Sequence, residues 1–145
     1  MSKFGIVATE KKDTVEYHMT NVTLSNGLSP IFLVSPATDA NKPYISALLR
    51  QGAQTRRQTK VTLKTVAQNR ENDIELYANY VIKGWKNVVD ENNVPVSYSP
   101  TECIDFINQL VENNQSWVFD DLRVFCSDMT NFVQDINEED TIKNF

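Results

Sequence analysis

The 145-residue chain is poor in the residues that carry most enzyme chemistry. It has one histidine, His18, and two cysteines, Cys103 and Cys126. Two thiols exclude a disulfide framework, and their spacing fits no zinc site. The four glycines, at 5, 27, 52 and 84, are too scattered to form a dinucleotide loop or a P-loop. No apolar run approaches the roughly 18 residues that a spanning helix needs. The start, Met1-Ser2-Lys3-Phe4-Gly5, lacks the apolar stretch and cleavage site of a signal peptide, so a reducing, cytosolic compartment is expected.

What is present suits a folded domain. Apolar residues are 41% and charged residues 23%, near ordinary globular usage. A chain of this length buries roughly 70% of its unfolded surface, enough for a core without covalent staples. The charges are unevenly placed. Residues 1 to 70 hold ten cations and four acids, and residues 71 to 145 hold four cations and fifteen acids. No acid lies between Asp39 and Glu71, a stretch that carries seven of the cations. Such asymmetry suits docking of basic to acidic surface, on another macromolecule or on a second copy. Equally, the two halves could attract one another within one fold.

Along the chain, residues 1 to 14 are polar and unpatterned and read as a flexible arm. Val15, Tyr17 and Met19 alternate as in a strand, Val22 and Leu24 follow, and Asn26-Gly27 is a strong hairpin signal before Ile31-Phe32-Leu33-Val34. Pro30 and Pro36 bracket that second strand, which predicts an edge position. Residues 38 to 51 read as a helix, with caps available at Thr38, Asp39 and Asn41, Pro43 in the first turn and Gly52 as its stop. After a basic connector, Leu63, Val66, Ala67, Ile74, Tyr77, Ala78, Val81 and Trp85 keep helical spacing, with a break expected at 68–73 and an end at Gly84. Val88-Val89, the turn Asp90 to Asn93 and Val94-Pro95-Val96 read as a small hairpin. Ser99-Pro100-Thr101-Glu102 is a capping box that opens a helix carrying Cys103, Ile104, Ile107, Leu110 and Val111. Ser116 is a possible cap for the last helix, whose apolar stripe runs through Val118, Leu122, Phe125, Cys126, Met129, Phe132 and Val133. The expected fold is α+β, an N-terminal β-hairpin packed on a mainly helical body of four to five short helices. The single domain spans 15–136, between the arm and an acidic C-terminal tail at 137–145.

Few groups converge for catalysis. His18 reads as an exposed strand residue, both cysteines fall in apolar helix stripes as core thiols, and Asp120-Asp121 suits the electropositive start of a helix better than a metal pair. No catalytic residue, metal ligand or cofactor is therefore assigned, and no enzyme activity is expected. The basic cluster Arg50, Arg56, Arg57, Lys60 and Lys64 is the one set suited to binding a partner. It lacks interleaved aromatics, and the net charge of −5 makes nucleic acid an unfavourable partner. An acidic protein surface suits it better, or it is a solvated loop.

The segment Gly84-Trp85-Lys86-Asn87-Val88-Val89-Asp90-Glu91-Asn92-Asn93-Val94-Pro95-Val96-Ser97-Tyr98-Ser99-Pro100, followed by Phe119-Asp120-Asp121-Leu122 and Asp128-Met129-Thr130-Asn131-Phe132, resembles a pattern in small tailed-phage proteins. The resemblance covers about residues 74 to 133 and is to the tail assembly chaperones. Asn92-Asn93 stands where that pattern commonly has glycine, and asparagine tolerates the positive φ such a turn needs. In this pattern Trp85, Ser99, Pro100, Glu102 and Phe132 are structural anchors. The resemblance implies a phage morphogenesis factor that binds the tape-measure protein in the host cytoplasm. The alternative is a virion structural protein, a capsid decoration or a neck or tail accessory, that contacts capsid or tail proteins in the mature particle. Self-association is open in both cases, and no membrane partner is expected.

Overall fold

The computed structural model describes residues 3–55 and 63–135, with only the backbone for 53–55, 63–65 and 134–135. The acidic tail expected at 137–145 lies outside the described residues. The elements run β1 (Thr9–Lys11), β2 (Val15–His18), β3 (Ile31–Val34), α1 (Lys42–Thr55), α2 (Leu63–Leu76), a π-helical turn (Tyr77–Val81), β4 (Ile82–Lys86), α3 (Pro100–Glu112), α4 (Ser116–Ser127), a 3-10 turn (Met129–Phe132) and β5 (Val133–Asp135). The architecture is the expected one, α+β with a hairpin against four helices.

The strands form two antiparallel sheets, β2-β3-β4 and the pair β1-β5. β3 is thus central, not the edge strand its flanking prolines suggest. Pro30 and Pro36 fall outside the Ile31–Val34 ladder, so neither removes a cross-strand hydrogen bond. The hairpin is also looser than expected, because β2 stops at His18. Asn26-Gly27 makes its turn within the long connection, where Gly27 has φ 80° and Leu24 N–H donates to Leu28 O at 2.9 Å. The arm is structured in part, since Thr9–Lys11 pair with Val133–Asp135.

α1 begins later and ends later than expected. Asn41 Oδ1 accepts the Tyr44 N–H at 3.2 Å, and the helix runs through Gly52 to Thr55. α2 has no break at 68–73. It passes directly into the π turn and then, at Ile82, into a strand, so Gly84 and Trp85 lie in β4 rather than at a helix end. A π turn leaves carbonyls without helical partners, and remote side chains supply them. Asn41 Nδ2 donates to Tyr80 O at 2.8 Å and Ser35 Oγ to Val81 O at 2.9 Å. The Tyr98 hydroxyl lies 2.6 Å from Ala78 O and 2.9 Å from Ile82 O. These polar contacts tie α1, β3 and the segment before α3 to the point where helix becomes strand.

The core lies between the inner face of the three-stranded sheet and the helices, with Phe32, Val34, Val81, Ile107, Leu122 and Phe132 almost wholly buried. Trp85, on β4, contributes a half-buried ring cluster. Its centroid lies 5.8 Å from Phe32, 5.1 Å from Tyr98 and 5.8 Å from Phe106, and its Nε1–H donates to Val96 O at 2.7 Å. Ser99 Oγ accepts the Glu102 N–H at 3.1 Å with Pro100 in the first turn of α3. Phe132 packs on Phe125 at 5.9 Å. Gln115, not Ser116, precedes α4, and no side chain caps that helix.

Candidate functional site

α4 is amphipathic, with Val118, Phe119, Leu122 and Cys126 buried. Its opposite face carries two large apolar side chains in water, Trp117 at 47% and Val124 at 72% exposure. Seven residues apart, they share one side of the helix. Beside this row an open groove of ≈ 760 Å³ runs between α4, Tyr44 of α1 and the junction of α2 with the π turn. Tyr44 and Tyr77 meet edge-on at 6.0 Å, and Tyr77 meets Phe119 at 5.4 Å.

The groove is acidic. Arg123 pairs through Nη2 with Asp73 at 3.1 Å and through Nη1 with Asp120 at 3.4 Å, and its guanidinium sits 5.6 Å over the Phe119 ring. Partial burial raises the Asp73 carboxyl above its ordinary range, and the Arg123 charge opposes that shift. Asp128, at the end of α4, is held below the usual range by Thr130, whose hydroxyl donates at 2.7 Å and backbone N–H at 3.0 Å. Two carboxylates thus pair with one guanidinium, and Asp128 lines the same groove. A second cleft of ≈ 600 Å³ lies between the β2–β3 connection, the Asp90 turn and α3, floored by Val22, Leu24, Phe106 and Leu110.

Of the basic cluster, Arg50 is exposed on α1 and makes no ion pair with a described residue. Arg56, Arg57 and Lys60 lie outside the described residues, and Lys64 is placed only by its backbone, in the first turn of α2. Among the described residues, no ion pair joins a cation of residues 1–70 to an acid of residues 71–145. The one pair between the halves runs the other way, from Lys86 to Glu16 at 2.9 Å.

His18 is exposed, 3.5 Å from Glu16. Both cysteines are buried, and burial pushes each thiol up to about 12. Among the described residues, no group of three or more histidine, cysteine or carboxylate side chains is arranged to hold a metal, and no helix is long and apolar enough to cross a membrane. Trp117 lies outside the apolar stripe that the sequence predicts, which starts at Val118. Its position one residue outside that stripe was the available signal.

The fold and this face define a small α+β protein whose most distinctive described surface is an apolar row on a helix beside an acidic groove. A model of the YdaY prophage protein family matches residues 39–144, well over half of the chain, and the chain belongs to that family. It is therefore a phage-derived protein, as the resemblance implied at the coarser level. No curated protein and no solved structure matches the chain.

Proposed function

We propose that this is a non-enzymatic bacteriophage morphogenesis protein, a tail assembly chaperone that holds the tape-measure protein soluble in the host cytoplasm. The observation that carries this reading is the Trp117–Val124 row. Two large apolar side chains on one exposed helix face give an amphipathic partner helix a surface to cover. A tape-measure protein, long and helical, presents such faces repeatedly until the tail tube encloses it. Acids flanking the row, Asp120 and Asp121, would favour cationic positions on the client and set its register.

The test is co-expression of this chain with the tape-measure protein of the same phage. W117E/V124E should lose co-purification and soluble client while keeping its own thermal midpoint. Undiminished co-purification would remove the α4 face from the reading.

Membership of the virion is the second reading, and Phe4, Ile6 and Val7, exposed at 66%, 81% and 54%, favour it. Such side chains suit contacts with a neighbouring subunit. Quantitative mass spectrometry of purified particles separates the two. Absence from mature particles supports the chaperone, and a fixed copy number supports the structural role.

A further inference from the structure

We infer that the groove beside the Trp117–Val124 row is an arginine subsite, and that the helix covering that row inserts one arginine side chain among Tyr44, Asp73, Asp120 and Asp128. This deepens the reading of the α4 face as a docking surface and rests on it for the carrier of the arginine.

Unmet hydrogen bonding carries the inference. Tyr44 is only 9% exposed, yet its hydroxyl makes no hydrogen bond among the described residues. Among those residues, no side-chain oxygen sealed from solvent lacks a partner, so this hydroxyl is not sealed and opens into the groove that Tyr44 lines. The Asp73 and Arg123 charges both act on it, which sets it beside that ion pair. One oxygen of each carboxylate is already engaged. Asp73 Oδ2 and Asp120 Oδ1 meet Arg123, and Asp128 Oδ1 takes both donors of Thr130. Asp73 Oδ1, Asp120 Oδ2 and Asp128 Oδ2 have no partner among the described residues. Donors are scarce by comparison, since Arg123 is held by its two aspartates and Ser127 Oγ donates to Arg123 O at 2.7 Å. Three carboxylates less one guanidinium leave the lining at a formal −2. Open acceptors and negative charge together select a cation that only donates, and among side chains that means arginine or lysine. The open acceptors, three carboxylate oxygens and the phenol, outnumber the three donors of an ammonium. A guanidinium carries five donors, and its plane can lie along aromatic walls such as Tyr44 and Tyr77. Val124 belongs to the exposed row and also lines the groove, so a helix on the row passes the groove mouth within reach of a long side chain.

NMR titration of the isotope-labelled full chain with N-acetyl-arginine amide, no client being present, tests the subsite. The neutral isostere N-acetyl-citrulline amide and N-acetyl-lysine amide are the comparisons. The arginine probe should give saturable shifts at the amides of Tyr44, Asp73, Val124 and Asp128. Its affinity should exceed that of citrulline about tenfold, the worth of one charge-assisted hydrogen bond, and should exceed that of lysine as well. Tyr44→Phe removes only a hydroxyl without a partner, and Asp128→Asn keeps an acceptor for Thr130. Both should fold with the wild-type thermal midpoint, and each should weaken the arginine probe several-fold. Glu112→Gln removes the same charge at an exposed position of α3 and should leave the affinity unchanged. Equal affinity for arginine and citrulline, or shifts that spread over the surface without saturating, overturn the inference. So does wild-type affinity in Y44F and D128N. Lysine binding as tightly as arginine overturns the choice of arginine and leaves a site for basic side chains in general. The two proposals fail separately. A failed titration, with co-purification still lost in W117E/V124E, removes the subsite and leaves the row. A specific titration with undiminished co-purification removes the client helix as the carrier.

Discussion

Trp85 is the sharpest test of how the fold is held. Replacing it by alanine removes an indole that contacts Phe32, Tyr98 and Phe106 and donates to Val96 O. Burying and then deleting a tryptophan costs about 3–5 kcal/mol in well-packed cores. Here the ring is half-buried, so about 3 kcal/mol is expected, a large part of a total stability of about 5–15 kcal/mol. For a domain of this size that loss lowers the thermal midpoint by roughly 6–12 °C. Trp85→Phe separates the two contributions. It keeps one ring in the cluster but loses the N–H and part of the indole's packing area, so about 1–2 kcal/mol is expected. Urea unfolding followed by circular dichroism reads both variants without relying on the deleted fluorophore. A loss below about 1 kcal/mol for Trp85→Ala, with an unchanged denaturant slope, would refute the reasoning, because the ring cluster would then hold nothing together.

Three other substitutions or conditions probe separate elements. Ser99→Ala removes the side-chain acceptor at the start of α3 and should cost about 1 kcal/mol in the same unfolding assay. Gly27→Ala meets no atom within 4 Å but must hold φ 80°, so it should cost about 1–2 kcal/mol, whereas Gly84→Ala, with equally open space and no positive φ, should not. Both thiols titrate at about 12 in the folded state against an ordinary value of 9.0. Above that ordinary value the unfolded chain releases these protons first, so their contribution to stability is full below pH ~9 and falls as pH rises towards ~12. Thermal midpoints across that alkaline range should drop, and Cys103→Ala/Cys126→Ala should flatten the drop. Reaction of the native protein with a thiol reagent at neutral pH should be negligible and should appear on unfolding.

Local chemistry was the legible part of this sequence. The Ser99 cap, the Asp90–Asn93 turn, the two buried cysteines and the apolar side of α4 each follow from a short residue pattern. Asn93 does adopt positive φ, at 62°, in the turn where the phage pattern commonly has glycine. What escaped was decided by contacts distant in sequence. Helical spacing continues from Leu63 to Trp85, yet the chain turns to strand at Ile82 because β3 pairs with it and Ser35, Asn41 and Tyr98 take up the freed carbonyls. The pairing of Thr9–Lys11 with Val133–Asp135 has no local signature either, since all three residues of β1 are exposed. At the candidate site, the charge imbalance was visible, but the groove gathers Tyr44, Asp73 and Asp120 from three separate helices. Only the tertiary fold brings them together.

The β1–β5 pair fixes an order of events. Its partners stand more than a hundred residues apart, and closing so long a loop in an unfolded chain costs about 4 kcal/mol in entropy alone. Three residue pairs, with all of β1 exposed, cannot offset that, so the clasp closes only after the body has folded and brought its two strands near each other. By the same reasoning it opens first. Its amides should exchange with solvent long before those of β3, releasing Phe4 to Lys11 as a free, partly apolar tether while the core stays shut.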